Sequence, residues 1–345
     1  MGILKHWPAF VIAMAVLVVV EPAKGQQIEP EEFTIRHGLS QGYIACMLQD
    51  REGFLWAGTK NGLNRFDGRR FQVFVNDPAN PFSISHDYVN TLFEHGDFLL
   101  VGTNGGSLNI FHKKTRRFFR MPDSLPGGRL SALSVIKVAV DAQGDICLID
   151  WKSVLEGNLY HIRLPQGFWE RLERGEAGWA GAFIRKVSDD DIANFNLSRD
   201  GRRLYYTKAG ALEEVDLKTG ALRSHPHPDI QYACRILIPG PNNLVWISGK
   251  NGLLQFDGQT WTLLKAGLRA NWMAVSPSGD YFLFNDPQSK EVYRCALSEY
   301  NGLPRLGDVS LLAKVNDFST ALADRSGNVW IGTGGVGLMK TSAQT

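Results

Sequence analysis

Short apolar segments separated by polar turns recur along the chain. The clearest copies are QDREGFLWAGTKNGLNRFDGRRFQVF from Gln49, PGPNNLVWISGKNGLLQFDGQTWTLL from Pro239 and ADRSGNVWIGTGGVGLMK from Ala323. Weaker copies begin at Glu94 and Ser198. The apolar runs are rich in β-branched and aromatic residues, which is typical of buried β-strands. The pattern therefore predicts an all-β chain built from repeated short strands.

An Asp-x-x-Gly turn and a tryptophan recur at fixed places in these copies. An aspartate can cap a turn through its own side chain, and glycine accepts the positive φ that such a turn needs. A residue that recurs from repeat to repeat has a structural role, because a catalytic group is needed only once. We therefore predict turns at Asp50, Asp141 and Asp324. We predict core packing for Trp56, Trp246 and Trp330.

The spacing of the copies predicts the fold. Four strands in about 44 residues is the repeat length of a β-propeller blade. First strands are predicted near Tyr43, Val89, Ser134, Ile192, Ala233, Trp272 and Ser319. The expected fold is an all-β, seven-bladed propeller with four-stranded antiparallel blades. Six or eight blades remain alternatives, because the third and sixth copies match the pattern poorly.

The two ends of the repeat array complement each other. The last copy stops after its third strand, GLMKTS, whereas an isolated strand, EEFTIRHG, precedes the first full copy. Pairing of these strands would close the ring and remove two exposed sheet edges. We predict that the N-terminal strand closes the propeller; the alternative is a frayed leader.

The first 25 residues have the pattern of a signal peptide. Lys5 precedes an apolar run from Phe10 to Val20, and Ala23 and Gly25 stand at the small-residue positions of a cleavage site. The run is short for a membrane span, which needs roughly 20 apolar residues, although an uncleaved anchor is an alternative. We predict a signal peptide at 1–25, a single propeller domain at 26–345 without a membrane span, and a periplasmic or secreted location.

Charge and cysteine usage exclude several classes of partner. The formal net charge is only +2, whereas nucleic-acid binding relies on clustered positive charge. Four cysteines fall in four different predicted blades without a Cys-x-x-Cys motif, so we predict buried free thiols, with disulfides as the alternative in an exported chain, and neither a metal site nor a cofactor.

One segment resembles a known repeat. GLSQGYIACMLQDREGFLWAGTKNGLNRFDG, from Gly38 to Gly68, is similar to the repeat of the two-component regulator propeller family, and Asp324–Leu338 and Leu244–Gly258 match it more loosely. The resemblance implies a periplasmic sensor module that passes ligand binding to a transmembrane histidine kinase. It also implies a ligand that is often an oligosaccharide. We expect a stand-alone or truncated relative, or one that works with a partner protein, with no kinase activity of its own.

No catalytic constellation stands out. The nucleophile-elbow motif G-x-S-x-G does not occur, so we predict a non-catalytic sensor that binds an oligosaccharide or another polar ligand. The alternatives are an exported propeller enzyme, such as a polysaccharide lyase or glycosidase, and a protein–protein scaffold.

The predicted binding face is formed by the loops between second and third strands and by the connections between blades. Amide and ammonium donors beside aromatic side chains suit a polar ligand. The candidate residues are Lys60, Asn61, Asn104, Lys152, Trp179, Lys208, Tyr232, Lys250, Asn251, Arg269 and Trp272.

Overall fold

The computed structural model describes residues 30–130, 134–153, 156–176, 178–188, 192–231, 234–238, 243–300 and 303–342. The predicted signal peptide at 1–25 lies outside these residues. In the described part of the chain no helix is long and apolar enough to cross a membrane.

Seven four-stranded antiparallel sheets form the blades of a propeller. The strands of blades one to three, with the hairpin β10–β11 between blades two and three, are β2 (Ile44–Gln49), β3 (Leu55–Thr59), β4 (Gly62–Phe66), β5 (Phe71–Phe74), β6 (Val89–His95), β7 (Phe98–Thr103), β8 (Leu108–His112), β9 (Arg117–Arg120), β10 (Ser124–Leu125), β11 (Gly128–Arg129), β12 (Val135–Val140), β13 (Ile146–Ser153), β14 (Glu156–Arg163) and β15 (Phe183–Lys186). The strands of blades four to six are β16 (Phe195–Leu197), β17 (Arg203–Lys208), β18 (Ala211–Asp216), β19 (Leu222–Pro226), β20 (Ile236–Leu237), β21 (Val245–Ser248), β22 (Gly252–Phe256), β23 (Trp261–Ala266), β24 (Met273–Val275), β25 (Tyr281–Asp286), β26 (Glu291–Tyr300) and β27 (Leu303–Lys314). Blade seven consists of β28 (Phe318–Ala323), β29 (Asn328–Thr333), β30 (Leu338–Ser342) and β1 (Glu31–Phe33).

The predicted fold class is confirmed. Each first strand begins within three residues of its predicted position; the largest offsets are in blade four, which begins at Phe195, and blade five, which begins at Ile236. The innermost strands β2, β6, β12, β16, β20, β24 and β28 surround the propeller axis, and apolar clusters fill the spaces between neighbouring blades.

The N-terminal strand closes the ring, as predicted. Glu31 pairs with Lys340 and Phe33 with Leu338, so β1 is the outer strand of blade seven. The Phe33 ring packs against Phe66 of blade one and Trp330 of blade seven, with centroid distances of 5.0 and 5.3 Å. One aromatic side chain therefore joins the first and last blades.

The recurring aspartate and tryptophan form a buried hydrogen-bonded pair. In blade one, Asp50 Oδ1 accepts the Phe54 backbone N–H at 2.9 Å, and Oδ2 accepts the Trp56 indole N–H at 2.7 Å. In blade seven, Asp324 accepts the Trp330 indole N–H at 2.9 Å. These aspartates and tryptophans are buried, which confirms the turn and core predictions. We call this arrangement the Asp–Trp clamp.

Blade three uses different residues at the same place. Asp141 still forms the turn, since its Oδ1 accepts the Gln143 and Asp145 backbone N–H groups. Cys147 stands six residues later, where blade one has Trp56. The missing indole donor is replaced by His161 of β14, whose Nε2 lies 2.9 Å from Asp141 Oδ2. Asp141, Cys147 and His161 are all buried.

The prediction of buried free thiols holds for three of the four cysteines. All four cysteines are free, and Cys147, Cys234 and Cys295 are buried while Cys46 is half-buried.

One helix interrupts the repeat pattern. α1 (Phe168–Glu173) lies in the connection between β14 and β15 of blade three, and Phe168 and Leu172 pack into the adjacent core. The sequence pattern did not predict this helix.

Candidate functional site

A two-lobed cleft opens at the mouth of the central channel. Its walls come from the connections that lead into the innermost strands of blades five, six and seven, and from the loops between the second and third strands of blades five and six. The larger lobe has a volume of about 730 Å³ and the smaller lobe about 430 Å³. Arg235, Asn271 and Asp286 line both lobes. The cleft lies on the face that the sequence predicted for ligand binding.

The larger lobe carries an excess of positive charge. Arg235, Lys250 and Arg269 line it against one carboxylate, that of Asp286. The Asp286 Oδ1 atom accepts the Gln288 backbone N–H at 2.8 Å, so this carboxylate also holds a turn. The remaining walls of this lobe are mainly polar and include Gln231, Ser248 and Asn271.

The smaller lobe combines an aromatic side chain with unpaired polar atoms. Trp272 is half-buried and packs edge-on against Phe318, with a centroid distance of 5.8 Å. The Asn285 side chain is 6% exposed, and its Oδ1 atom has no hydrogen-bond partner in the part of the chain that the structure describes. The Ser319 Oγ atom is likewise buried without a partner. Buried polar atoms are nearly always hydrogen-bonded in folded proteins, so these two atoms in residues that line the lobe are exceptions.

Three of the predicted binding residues line the cleft. Lys250 and Arg269 line the larger lobe and Trp272 lines the smaller one. Asn251 lies beside Lys250, but its side-chain amide donates to Asp229 Oδ1 at 2.7 Å.

The other predicted loop residues lie around the ring outside the cleft. The Lys60 amine lies 4.4 Å from the centroid of the Tyr43 ring, and Asn61 follows it in the β3–β4 loop. Asn104 forms a β-bridge to Ser134. The two remaining lysines are at strand ends: Lys152 in β13, and Lys208 in β17, whose amine pairs with Glu213 at 2.8 Å. Tyr232 lies outside the described residues.

The prediction that Trp179 lies in a connection between blades is wrong. Trp179 follows α1 in the connection between the third and fourth strands of blade three. Its indole N–H donates to the Arg120 carbonyl at 3.1 Å, and its ring packs against Phe168 at a centroid distance of 5.0 Å. In the described residues, the other copies of the repeat have no helix between their third and fourth strands. The spacing of the repeats therefore placed Trp179 after the fourth strand of blade three, whereas it lies before that strand.

The sequence analysis missed Arg235, Asn271 and Asn285. Arg235 directly precedes the inner strand of blade five, Asn271 lies two residues before that of blade six, and Asn285 lies near the end of β25. Blade six is a weak copy of the repeat, so no motif marked its polar residues. Arg235 and Asn271 could have been found from the sequence as polar residues that stand just before a predicted inner strand.

Comparison with known proteins gives a match in blade one. Residues 38–61, which run through β2 and β3 to the β3–β4 loop, match the family model described as two component regulator propeller. The predicted resemblance is thus confirmed, and this two-component regulator propeller repeat contains the Asp–Trp clamp of blade one.

A histidine kinase shares part of the sequence. Over 75 residues the chain is 39% identical to histidine kinase P4 of Formosa agariphila. The match covers 22% of this chain and 6% of that kinase. The similarity therefore concerns a small part of a much longer protein.

Solved structures share the architecture. The extracellular domain of the hybrid two component system BT3049 from B. thetaiotaomicron has a TM-score of 0.64 and 19% identity, over 91% of this chain and 42% of that one. Streptogramin B lyase has a TM-score of 0.61 and 14% identity, over 90% of this chain and 96% of the lyase. At these identities the similarity shows the propeller fold alone. The chain spans less than half of the matched BT3049 domain.

Proposed function

We propose that this chain is a non-catalytic sensor propeller of the two-component type, which acts outside the cytoplasm and binds a polar ligand in the cleft at the channel mouth. The observation that carries the proposal is the pairing of a half-buried tryptophan with unpaired polar atoms in one lobe. Trp272 offers a flat apolar face, and the buried atoms Asn285 Oδ1 and Ser319 Oγ have no hydrogen-bond partner among the described residues. Clefts with a few convergent polar groups beside aromatic walls are typical of ligand sites.

The proposed ligand is an oligosaccharide or a polar molecule of similar size. Sugar hydroxyls can hydrogen-bond to polar side chains that line the smaller lobe, and a sugar ring can lie against Trp272. The two lobes together leave room for more than one sugar unit. The resemblance to the two-component regulator propeller repeat implies this class of ligand.

The proposed location and partner follow from the sequence and the relatives. The signal-peptide pattern at 1–25 and the extracellular domains among the structural neighbours support export. The segment shared with a histidine kinase supports signalling through a membrane kinase. A pull-down of the tagged chain from the native membrane fraction tests this partner: recovery of a kinase only in the presence of ligand supports it, and recovery of none in either condition contradicts it.

The binding site is tested by measuring ligand affinity of two matched tryptophan variants. Oligosaccharides of varied linkage are titrated into the full chain by calorimetry. We expect Trp272→Ala to weaken binding by about tenfold or more, since that corresponds to the loss of one good contact. Trp179→Ala, a half-buried tryptophan outside the cleft, should leave affinity unchanged. Equal affinity of wild type and Trp272→Ala would place the site elsewhere.

The enzyme alternative is tested in the same samples. A lyase with the same architecture gives this alternative a precedent at the level of fold, but fold alone is weak support for activity. We expect each bound oligosaccharide to be recovered intact after prolonged incubation. New reducing ends or unsaturated products would assign the chain to the enzymes.

A further inference from the structure

Lys137 is a cation on the channel wall that has no partner within the described ranges. It lies in β12, the innermost strand of blade three, and is half-buried. It lines a recess of about 330 Å³ together with Thr91 of blade two and Asn196 of blade four. The surrounding protein and the nearby positive charge of Arg235 lower the pKa of the Lys137 amine to about 8. Among the described residues no hydrogen bond or ion pair offsets this charge, which is costly in such a position.

Arg235 is a second cation that lacks an ion-pair partner among the described residues. It directly precedes β20 and lines both lobes of the cleft. Its Nε–H donates to the Asn271 carbonyl, and no carboxylate of the described residues forms an ion pair with it. The Asn196 amide donates to the Ile236 carbonyl at 2.5 Å, so one side chain links the recess around Lys137 to the strand beside Arg235.

The channel wall offers these cations no compensating charge. In the described innermost strands the only acidic residue is Glu94, and its carboxylate is engaged by the Lys113 amine at 2.6 Å. At the mouth, Asp286 and Asp317 are outnumbered by Arg235, Lys250, Arg269 and Lys290. Positive charge therefore extends from the mouth into the channel. A recess lined by one sign of charge concentrates ions of the opposite sign.

We propose that Arg235 and Lys137 bind an anionic group of the ligand, either a carboxylate or a sulfate or phosphate ester. This inference rests on the proposed function and assigns its ligand to a chemical class. A guanidinium group can donate two parallel hydrogen bonds to such an oxyanion, and a lysine amine acts as a point charge. The ligand would supply the negative charge that both side chains lack in the free protein.

The proposal is tested with simple anions. Sulfate, inorganic phosphate and glucuronate are titrated into the full chain by calorimetry at constant ionic strength, with glucose as the neutral control. We expect at least one anion to bind wild type, and Lys137→Met and Arg235→Met each to weaken that binding at least tenfold. Lys218→Met removes an exposed cation of the β18–β19 loop and should change nothing. The preferred anion identifies the group. Absence of binding by all three anions, or equal binding by all variants, would overturn the proposal.

Stability of the free protein gives a second readout. Lys137→Met removes a charge that has no partner, so we expect this variant to unfold at a higher temperature than wild type when no anion is present. A lower unfolding temperature would mean that the charge serves the fold, and would contradict a binding role.

The two proposals fail in different ways. If neutral oligosaccharides bind in the cleft and Lys137→Met leaves their affinity unchanged while no anion binds, the sensor proposal stands and the anion site does not. The opposite result is that anions bind through Lys137, but that no neutral oligosaccharide binds and no charged one binds more tightly than the simple anion alone. In that case the anion site stands and the oligosaccharide sensor does not.

Discussion

In blade one, Asp50 is held by the Trp56 indole, whereas in blade three Asp141 stands at the same position and is held by His161. Both aspartates are buried, and each accepts one side-chain N–H; Asp50 also accepts one backbone N–H of its own turn and Asp141 accepts two. Both blades thus keep a side-chain hydrogen bond to the buried aspartate, but the residue that donates it differs. The donor comes from the second strand in blade one and from the third strand in blade three.

A second position separates the same two blades. Four residues before the aspartate, on the innermost strand, blade one has Cys46 and blade seven has Thr320, but blade three has Lys137. In blades one and seven the side chain at this position packs over a glycine of the second strand, Gly58 or Gly332, whereas Lys137 pairs with Ile149. The regular blades place a small side chain here, and the divergent blade presents a charge to the channel. Divergence from the repeat therefore marks where binding chemistry is expected.

The largest effect is expected from breaking the clamp of blade one. Asp50→Ala leaves the buried Trp56 indole and the Phe54 N–H without their acceptor. Each buried unsatisfied donor costs about 1–3 kcal/mol, so we expect a loss of about 2–5 kcal/mol in the free energy of unfolding, measured in urea. Asp67→Ala removes an exposed turn carboxylate of the same blade and should be much less destabilising. Equal losses in the two variants would contradict the assigned role of the clamp.

The sequence could predict this regular part of the molecule because the same physical requirement recurs in every copy. Asp50, Trp56 and their counterparts in blade seven follow from turn geometry and strand burial, and the closing strand follows from the missing fourth strand. Trp179 and Lys137 could not be placed in this way. Trp179 follows a helix that, in the described part of the chain, occurs in blade three alone. Lys137 lies in an apolar strand, VIKVAV, where the pattern does not tell which way a single charge points.

The clamp of blade three is expected to contribute less than that of blade one. His161→Leu removes the side-chain donor to Asp141 Oδ2, but Asp141 Oδ1 keeps its two backbone N–H donors. We expect a loss of about 1–3 kcal/mol in the free energy of unfolding. His161→Gln, which can still donate an N–H, should recover part of that loss. If the glutamine variant is no more stable than the leucine variant, the hydrogen bond does not explain the contribution of His161.

Lys137 predicts a pH dependence that blade one lacks. The folded protein releases the Lys137 proton near pH 8, whereas the unfolded chain keeps it up to about pH 10.5. Between these values the unfolded chain binds more protons, so this residue makes stability rise with pH, by an amount on the order of 1–3 kcal/mol. The measurement is the difference in unfolding free energy between wild type and Lys137→Met from pH 7.5 to 10. The stability advantage of the variant should shrink as the pH rises, and a constant difference would contradict the lowered pKa.

The smallest effect concerns the cysteines, where blades one and three should behave alike. Burial raises the pKa of the Cys46 thiol to about 12. Burial also raises the pKa of the Cys147 thiol, and the charges of Asp141 and Asp145 raise it further. Because the thiolate is the reactive form, neither cysteine should react with a disulfide reagent at pH 8 in the folded protein. All four cysteines should react once the chain is unfolded in denaturant. Rapid labelling of Cys147 alone in the folded state would mean that the core of blade three, which has a cysteine where blade one has Trp56, is open to the reagent. The Asp141–His161 pair would then not close the core of blade three as the Asp–Trp clamp closes that of blade one.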